Sequence, residues 1–96
     1  MSFASMADRD AIEQEMPWEE RDMPATLYQM LSHTEAAHGR RKALTFQMFS
    51  DPKAPDETLT WTDLKDKVSQ AANMFRALGV QETDTVAFVL PNCTET

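Results

Sequence analysis

Glycine is almost missing from this chain. Only Gly39 and Gly79 occur in 96 residues, and each follows an apolar-periodic stretch where a helix would stop. A loop that cradles phosphate needs several glycines beside a helix start, so a nucleotide site of that kind is excluded within these residues. Cysteine is scarcer still. Cys93 is the only one, which rules out an intrachain disulfide and with it a secreted disulfide scaffold. Long apolar runs are absent too: the longest without a charge, Val86–Leu90, covers five residues, far too few to cross a bilayer. There is no basic stripe. Nine Lys and Arg stand against sixteen Asp and Glu, for a net charge of −7, a poor balance for binding nucleic acid or an anionic membrane.

The charge that is present is unevenly placed. Residues 1–25 hold seven acids (Asp8, Asp10, Glu13, Glu15, Glu19, Glu20 and Asp22) against Arg9 and Arg21. Residues 1–24, interrupted by Pro17 and Pro24, read as an acidic N-terminal arm in which Ala11–Met16 makes at most a short helical turn. Trp18 is the odd residue there, and a large aromatic in an acidic arm is expected to dock on the body of the protein or on a partner. This leader has no hydrophobic signal core, and its acidity argues against a transit peptide, which leaves the cytoplasm as the expected location.

Order begins at Ala25, so residues 25–96 form the second region. Thr26 can cap a helix with apolar positions Leu27, Met30, Leu31 and Ala37 at helical spacing, and Gly39 would end it in a left-handed conformation. Residues 43–49 then place Leu44, Phe46 and Met48 on alternate positions, a strand period. Ser50–Asp56 is turn chemistry. A second strand at Glu57–Trp61 puts Leu59 and Trp61 on one face, and the two strands should pair as an antiparallel hairpin. With Thr62 as cap, Leu64, Val68, Ala71, Ala72, Phe75 and Leu78 mark a continuous apolar helix face, flanked by Asp63 in the first turn and Arg76 in the last. Gly79 stops this helix. The apolar run Val86–Leu90 reads as a buried strand that completes a βαβ unit in a parallel sheet.

Asn92 and Glu95 after that strand look like a capping box opening one more helix, yet the sequence stops at Thr96. The expectation is a cut chain, the front of a larger protein and incomplete as an independent fold. Two helices would also be too few to cover both faces of a parallel sheet.

Catalytic constellations do not emerge. His33 and His38 are five apart, the wrong spacing for ligands on one helix face, and read as surface residues. No Gly-x-Ser-x-Gly element occurs. Asp63, Asp66, Glu82 and Asp84 read as helix-start and turn residues. Cys93 reads as a small thiol at a helix start, with no His or basic neighbour to activate it. No catalytic, cofactor-binding or metal-ligating residue is assigned.

The order of elements, however, resembles a known family. Thr58-Leu59-Thr60-Trp61-Thr62-Asp63-Leu64, then Val68, Ala71-Ala72-Asn73 and Phe75-Arg76-Ala77-Leu78-Gly79-Val80, then Asp84 to Asn92 are similar to the N-terminal part of the adenylate-forming, AMP-binding enzymes, and most of all to acyl-CoA synthetases. Thr26-Leu27-Tyr28, Leu31, His38-Gly39 and Lys42-Ala43-Leu44 fit the same family's opening helix and first strand, so the resemblance covers residues 17–96. Many members carry Pro-Gly-Asp where this chain has Glu82-Thr83-Asp84. The resemblance implies an α/β fold in which residues 25–96 are the truncated start of the large AMP-binding domain: helix, β-hairpin, helix, buried strand. It implies a parent that uses ATP, Mg²⁺ and CoA. A carboxylic or fatty acid attacks the ATP α-phosphate to give an acyl-adenylate and pyrophosphate, and the CoA thiol displaces AMP. The family's phosphate loop, its later ATP and magnesium motifs and its catalytic lysine all lie beyond Thr96. The piece is therefore expected to be structural and inactive, with Leu64, Val68, Phe75, Val86, Phe88 and Leu90 as its packing seam and Val68→Asp or Leu78→Asp disruptive.

Two other readings stand beside this one. The parent's acceptor could be a carrier-protein thiol, or the chain could be a stand-alone protein-interaction module. In either fragment reading the rest of the parent chain is the natural partner, and the isolated piece is expected to self-associate through exposed apolar surface and hairpin edges.

Overall fold

The computed structural model describes residues 4–96; residues 1–3 of the expected arm lie outside them. Two compact units divide the chain after Met30.

In the first unit the acidic stretch is more ordered than a short turn at 11–16. Helix α1 spans Met6–Glu15. Ser5 caps it with a full capping box: its hydroxyl accepts from the Asp8 amide at 3.3 Å, and the Asp8 carboxylate accepts from the Ser5 amide at 2.9 Å. The pattern escaped the sequence reading because Asp, in place of Glu, closes the box. After Pro17 a 3-10 turn covers Trp18–Glu20. Arg21 closes the C-terminal end of α1, donating from Nη2 to the Ile12 carbonyl at 2.9 Å and from Nε to the Met16 carbonyl at 3.2 Å. A cation there answers the helix dipole. Trp18 is 66% exposed.

Helix α2 runs Leu27–His38, and the Thr26 hydroxyl caps it by accepting from the Gln29 amide at 3.1 Å. The boundary between the units falls within this helix. Its first apolar positions, Leu27 and Met30, are exposed, whereas Leu31 is half-buried.

The second unit starts at Leu31. Strands β1 (Lys42–Gln47) and β2 (Asp56–Thr60) form the expected antiparallel hairpin. The register pairs Leu44 with Leu59, Thr45 with Thr58 and Phe46 with Glu57, and a shift between Lys42 and Leu44 leaves Ala43 as the extra residue. Thr45 and Thr58 share a hydroxyl hydrogen bond of 3.1 Å across the strands, a stabilising cross-strand pair. In the connection, Asp51 Oδ1 accepts from the Lys53 amide at 2.9 Å and its carbonyl from the Ala54 amide at 3.0 Å. That Asx turn reverses the chain.

Helix α3 spans Trp61–Ala77 and follows β2 without a linker. Its cap is Thr60, two residues earlier than expected, and Thr60 forms a capping box with Asp63: the Asp63 amide donates to the Thr60 hydroxyl at 3.2 Å and the Thr60 amide to the Asp63 carboxylate at 3.0 Å. Both Thr60 and Thr62 are suitable cap residues; only Thr60 has an acid three residues on, which decides between them. Trp61 consequently belongs to the helix and not to the strand. At the far end Gly79 takes φ +83°, the Gly79 amide reaches the Arg76 carbonyl and the Val80 amide the Phe75 carbonyl, each at 3.0 Å. This is a Schellman stop, with half-buried Val80 and Phe75 at the positions that usually touch.

Gly39 behaves differently from the expectation. Among the described residues only Gly79 is a glycine with positive φ. What Gly39 supplies is room: a Cβ there would lie 2.7 Å from Thr62 Oγ1 and 2.9 Å from the Glu35 carbonyl oxygen. The Gly39 carbonyl also accepts from the Thr62 amide at 3.1 Å, and Thr62 Oγ1 donates to Glu35 Oε1 at 3.1 Å. Lys65 Nζ meets Glu35 Oε2 at 3.3 Å, with both side chains mostly covered. These contacts tie the C-terminal half of α2 to the start of α3.

Two expectations fail in the last stretch. Residues 85–90 form no strand, and the two-stranded hairpin is the sheet among the described residues, so no βαβ unit is closed. Val86, Phe88, Val89 and Leu90 are 46%, 69%, 99% and 49% exposed. A strand is defined by the ladder it joins, and here no neighbouring strand offers one. Residues 92–95 make turns in place of a new helix. The expected packing seam is correspondingly thin. No described residue is fully buried; Leu64 and Phe75 are half-buried, and Val68 and Leu78 are exposed.

Candidate functional site

A groove of 590 Å³ in the second unit lies between β2, the first half of α3 and the turn at 94–95. The strand alternation brings Leu59 to it, and the helical spacing of Leu64, Val68 and Ala71 supplies the rest of an apolar floor. Its rim is polar: Glu57, Thr58, Lys67, Thr94 and Glu95.

One hydrogen bond holds the terminal turn on this rim: the Thr94 hydroxyl donates to Glu57 Oε2. The Glu95 carboxyl is held below its ordinary range by its own backbone amide first, then by a hydrogen bond from Cys93, with the Lys67 ammonium adding to the effect. Asp63 is lowered likewise, chiefly by the Thr60 amide and then by the Thr60 hydroxyl. Its role is to cap α3.

Chemically the groove can hold an apolar segment under a mixed-charge rim. Cys93 is half-buried, with Sγ 3.2 Å from the Thr96 hydroxyl. His33 and His38 are exposed on α2. Among the described residues no group of three or more His, Cys, Asp and Glu is placed to hold a metal ion. Glu35 and Lys65, and the Glu57–Thr94 pair, escaped the sequence reading. Each joins residues thirty or more positions apart, and no local spacing announces that.

The fold and groove gain a context from known proteins. The sequence profile of the AMP-binding enzyme family matches residues 31–96, the same stretch that forms the second compact unit. The chain belongs to the AMP-binding enzyme family. Acetyl-coenzyme A synthetase of Streptomyces avermitilis is 46% identical over 59 residues, which cover 62% of this chain and 9% of that protein. The Streptomyces coelicolor acetyl-coenzyme A synthetase is 44% identical over 64 residues, 67% of this chain and 9% of its own length. That of Mycobacterium tuberculosis is 42% identical over 59 residues, 62% and 9% respectively. This chain thus spans about a tenth of the length of these relatives. No solved structure matches it significantly. Among the described residues no helix is long and apolar enough to cross a membrane.

Proposed function

We propose that this chain is the leading structural segment of an acid–thiol ligase, an acyl-CoA synthetase that activates a carboxylic acid through an acyl-adenylate. The observation that carries the reading is the family match over the second unit, joined to relatives that are acetyl-coenzyme A synthetases. Their names favour CoA over a carrier-protein thiol as acceptor, and they make acetate the first acid to try before longer fatty acids. In this reading the 96 residues contribute packing surface while ATP, Mg²⁺ and CoA bind elsewhere in the parent. The hairpin, α3 and the apolar 86–90 segment would be covered by the remainder of the large domain.

The test starts at the gene. An open frame running several hundred codons past Thr96, whose product releases pyrophosphate only when acid, ATP and Mg²⁺ are all supplied, supports the ligase. A natural stop after Thr96 removes it. Calorimetry on the 96-residue chain checks the structural role separately: ATP or CoA binding at micromolar concentration would contradict it.

A further inference from the structure

The first compact unit, Met1–Met30, stands outside the stretch that matches the AMP-binding family, which begins at Leu31. Within it Ile12, Met16 and Trp18 wall a hollow of 420 Å³. Ile12 comes from the last turn of α1, Met16 from its C-cap and Trp18 from the 3-10 turn after Pro17. Ile12 is half-buried, whereas Met16 is 45% and Trp18 66% exposed. An apolar wall left open in water gains free energy by being covered.

Charge decides what can cover it. Arg21 lines the hollow, but its guanidinium is engaged by the Ile12 and Met16 carbonyls. Arg9 is taken by Asp10 and Glu13. Among the described residues no cation pairs with Glu15, Glu19, Glu20 or Asp22. All four are exposed and stand within four positions of Trp18 in the chain. Such a field repels phosphate, nucleic acid and anionic lipid, and draws in a cation. An indole face binds a cation directly, and a guanidinium can also stack flat on it. We propose that the hollow seats a basic segment of another polypeptide, which inserts an aliphatic side chain between Ile12 and Met16 and stacks an arginine on Trp18. A separate partner is named because the hollow lies outside the family-matched stretch. The inference is independent of the ligase reading, and its test reads only peptide binding.

The test uses the 96-residue chain and a dye-labelled peptide, Arg-Leu-Arg-Arg-Leu-Arg, followed by fluorescence anisotropy. The parent chain should bind it, with an affinity that falls as salt is raised. Two sister peptides, one with glutamate for every arginine and one with serine for every leucine, should bind at least about tenfold more weakly. Trp18→Ala should lose about tenfold, and Trp18→Phe should retain part of the affinity, because a smaller ring still holds a cation. Trp18 is 66% exposed, so both variants should keep the circular dichroism of the parent. Glu19→Gln combined with Glu20→Gln should weaken binding and flatten its salt dependence. Asp66→Asn combined with Glu82→Gln, two exposed acids of the second unit, should change the affinity by less than about twofold. No uptake by the parent chain, an unaffected Trp18→Ala variant, equal binding of the glutamate peptide, or a control pair that loses as much as the Glu19 and Glu20 pair would each overturn the proposal. So would a dimer of the chain alone, seen in sedimentation and abolished by Trp18→Ala, since the hollow would then belong to a second copy.

Discussion

The two glycines show how one residue type serves two physical ends. At Gly39 the constraint is space: the Glu35 carbonyl oxygen, 2.9 Å from a would-be Cβ, is backbone and cannot swing away. Gly39→Ala should therefore cost about 1–3 kcal/mol, through displacement of the α2–α3 junction. At Gly79 nothing lies within 4 Å, and the constraint is the φ of +83°. Gly79→Ala should cost about 1–2 kcal/mol, the penalty of a left-handed residue with a Cβ. Urea titrations of the two variants check this, and Gly79→Asn should recover part of the loss while Gly39→Asn should not. The cap of α3 makes a second residue-scale prediction. Thr60→Ala should lower stability by about 1 kcal/mol. Asp63 has a folded pKa below its usual 3.8, so its contribution is complete above that pH and is lost as the pH falls through the lowered value. The stability gap between the parent chain and Asp63→Asn should be full near neutrality and should narrow on acidification below about pH 3.8. A gap unchanged down to pH 2 would deny Asp63 this role.

At the scale of elements, α2, α3 and the hairpin were the most legible part of the sequence, and α1 and the terminal strand the least. The periodicities of α2 and α3 and the hairpin's alternation are local properties, and they place the elements within a residue or two. What misplaced the start of α3 was a choice between two adjacent threonines, settled by the acid three residues after Thr60. The apolar face of α3 was read correctly as a stripe, but its depth was not, because depth depends on what lies opposite. Leu64 faces the groove, whereas Leu78 is 72% exposed beyond it. Leu64→Asp should thus destabilise the unit by about 2 kcal/mol, seen as lost helical ellipticity at lower urea. Leu78→Asp should stay within about 0.5 kcal/mol of the parent chain, which reverses the disruption expected from sequence. Equal effects of the two substitutions would refute this ranking. The junction between α2 and α3 was invisible in the sequence for another reason. Glu35 and Lys65 become neighbours only after the hairpin between them has folded back.

At the scale of the whole molecule burial is thin within each unit taken by itself. With no fully buried residue among those described, little apolar area opposes chain entropy. The 96-residue chain should therefore unfold over a broad urea range with a slope below about 1 kcal/mol/M. It should also enhance the fluorescence of an apolar dye at neutral pH, as loosely packed states do. A sharp, cooperative transition without dye binding would show a core that the structure lacks.

By itself the sequence determined α2, α3, the hairpin, their order and the family, because capping residues, period and motif spacing act over a few positions. Only the tertiary structure decided that Val86–Leu90 is exposed and unpaired and that Gly39 is kept for room. It also decided that Glu57, Lys67 and Thr94 share one rim. Each of these depends on which distant residue arrives alongside, and a strand without a neighbour has nothing to bond to, however apolar its side chains.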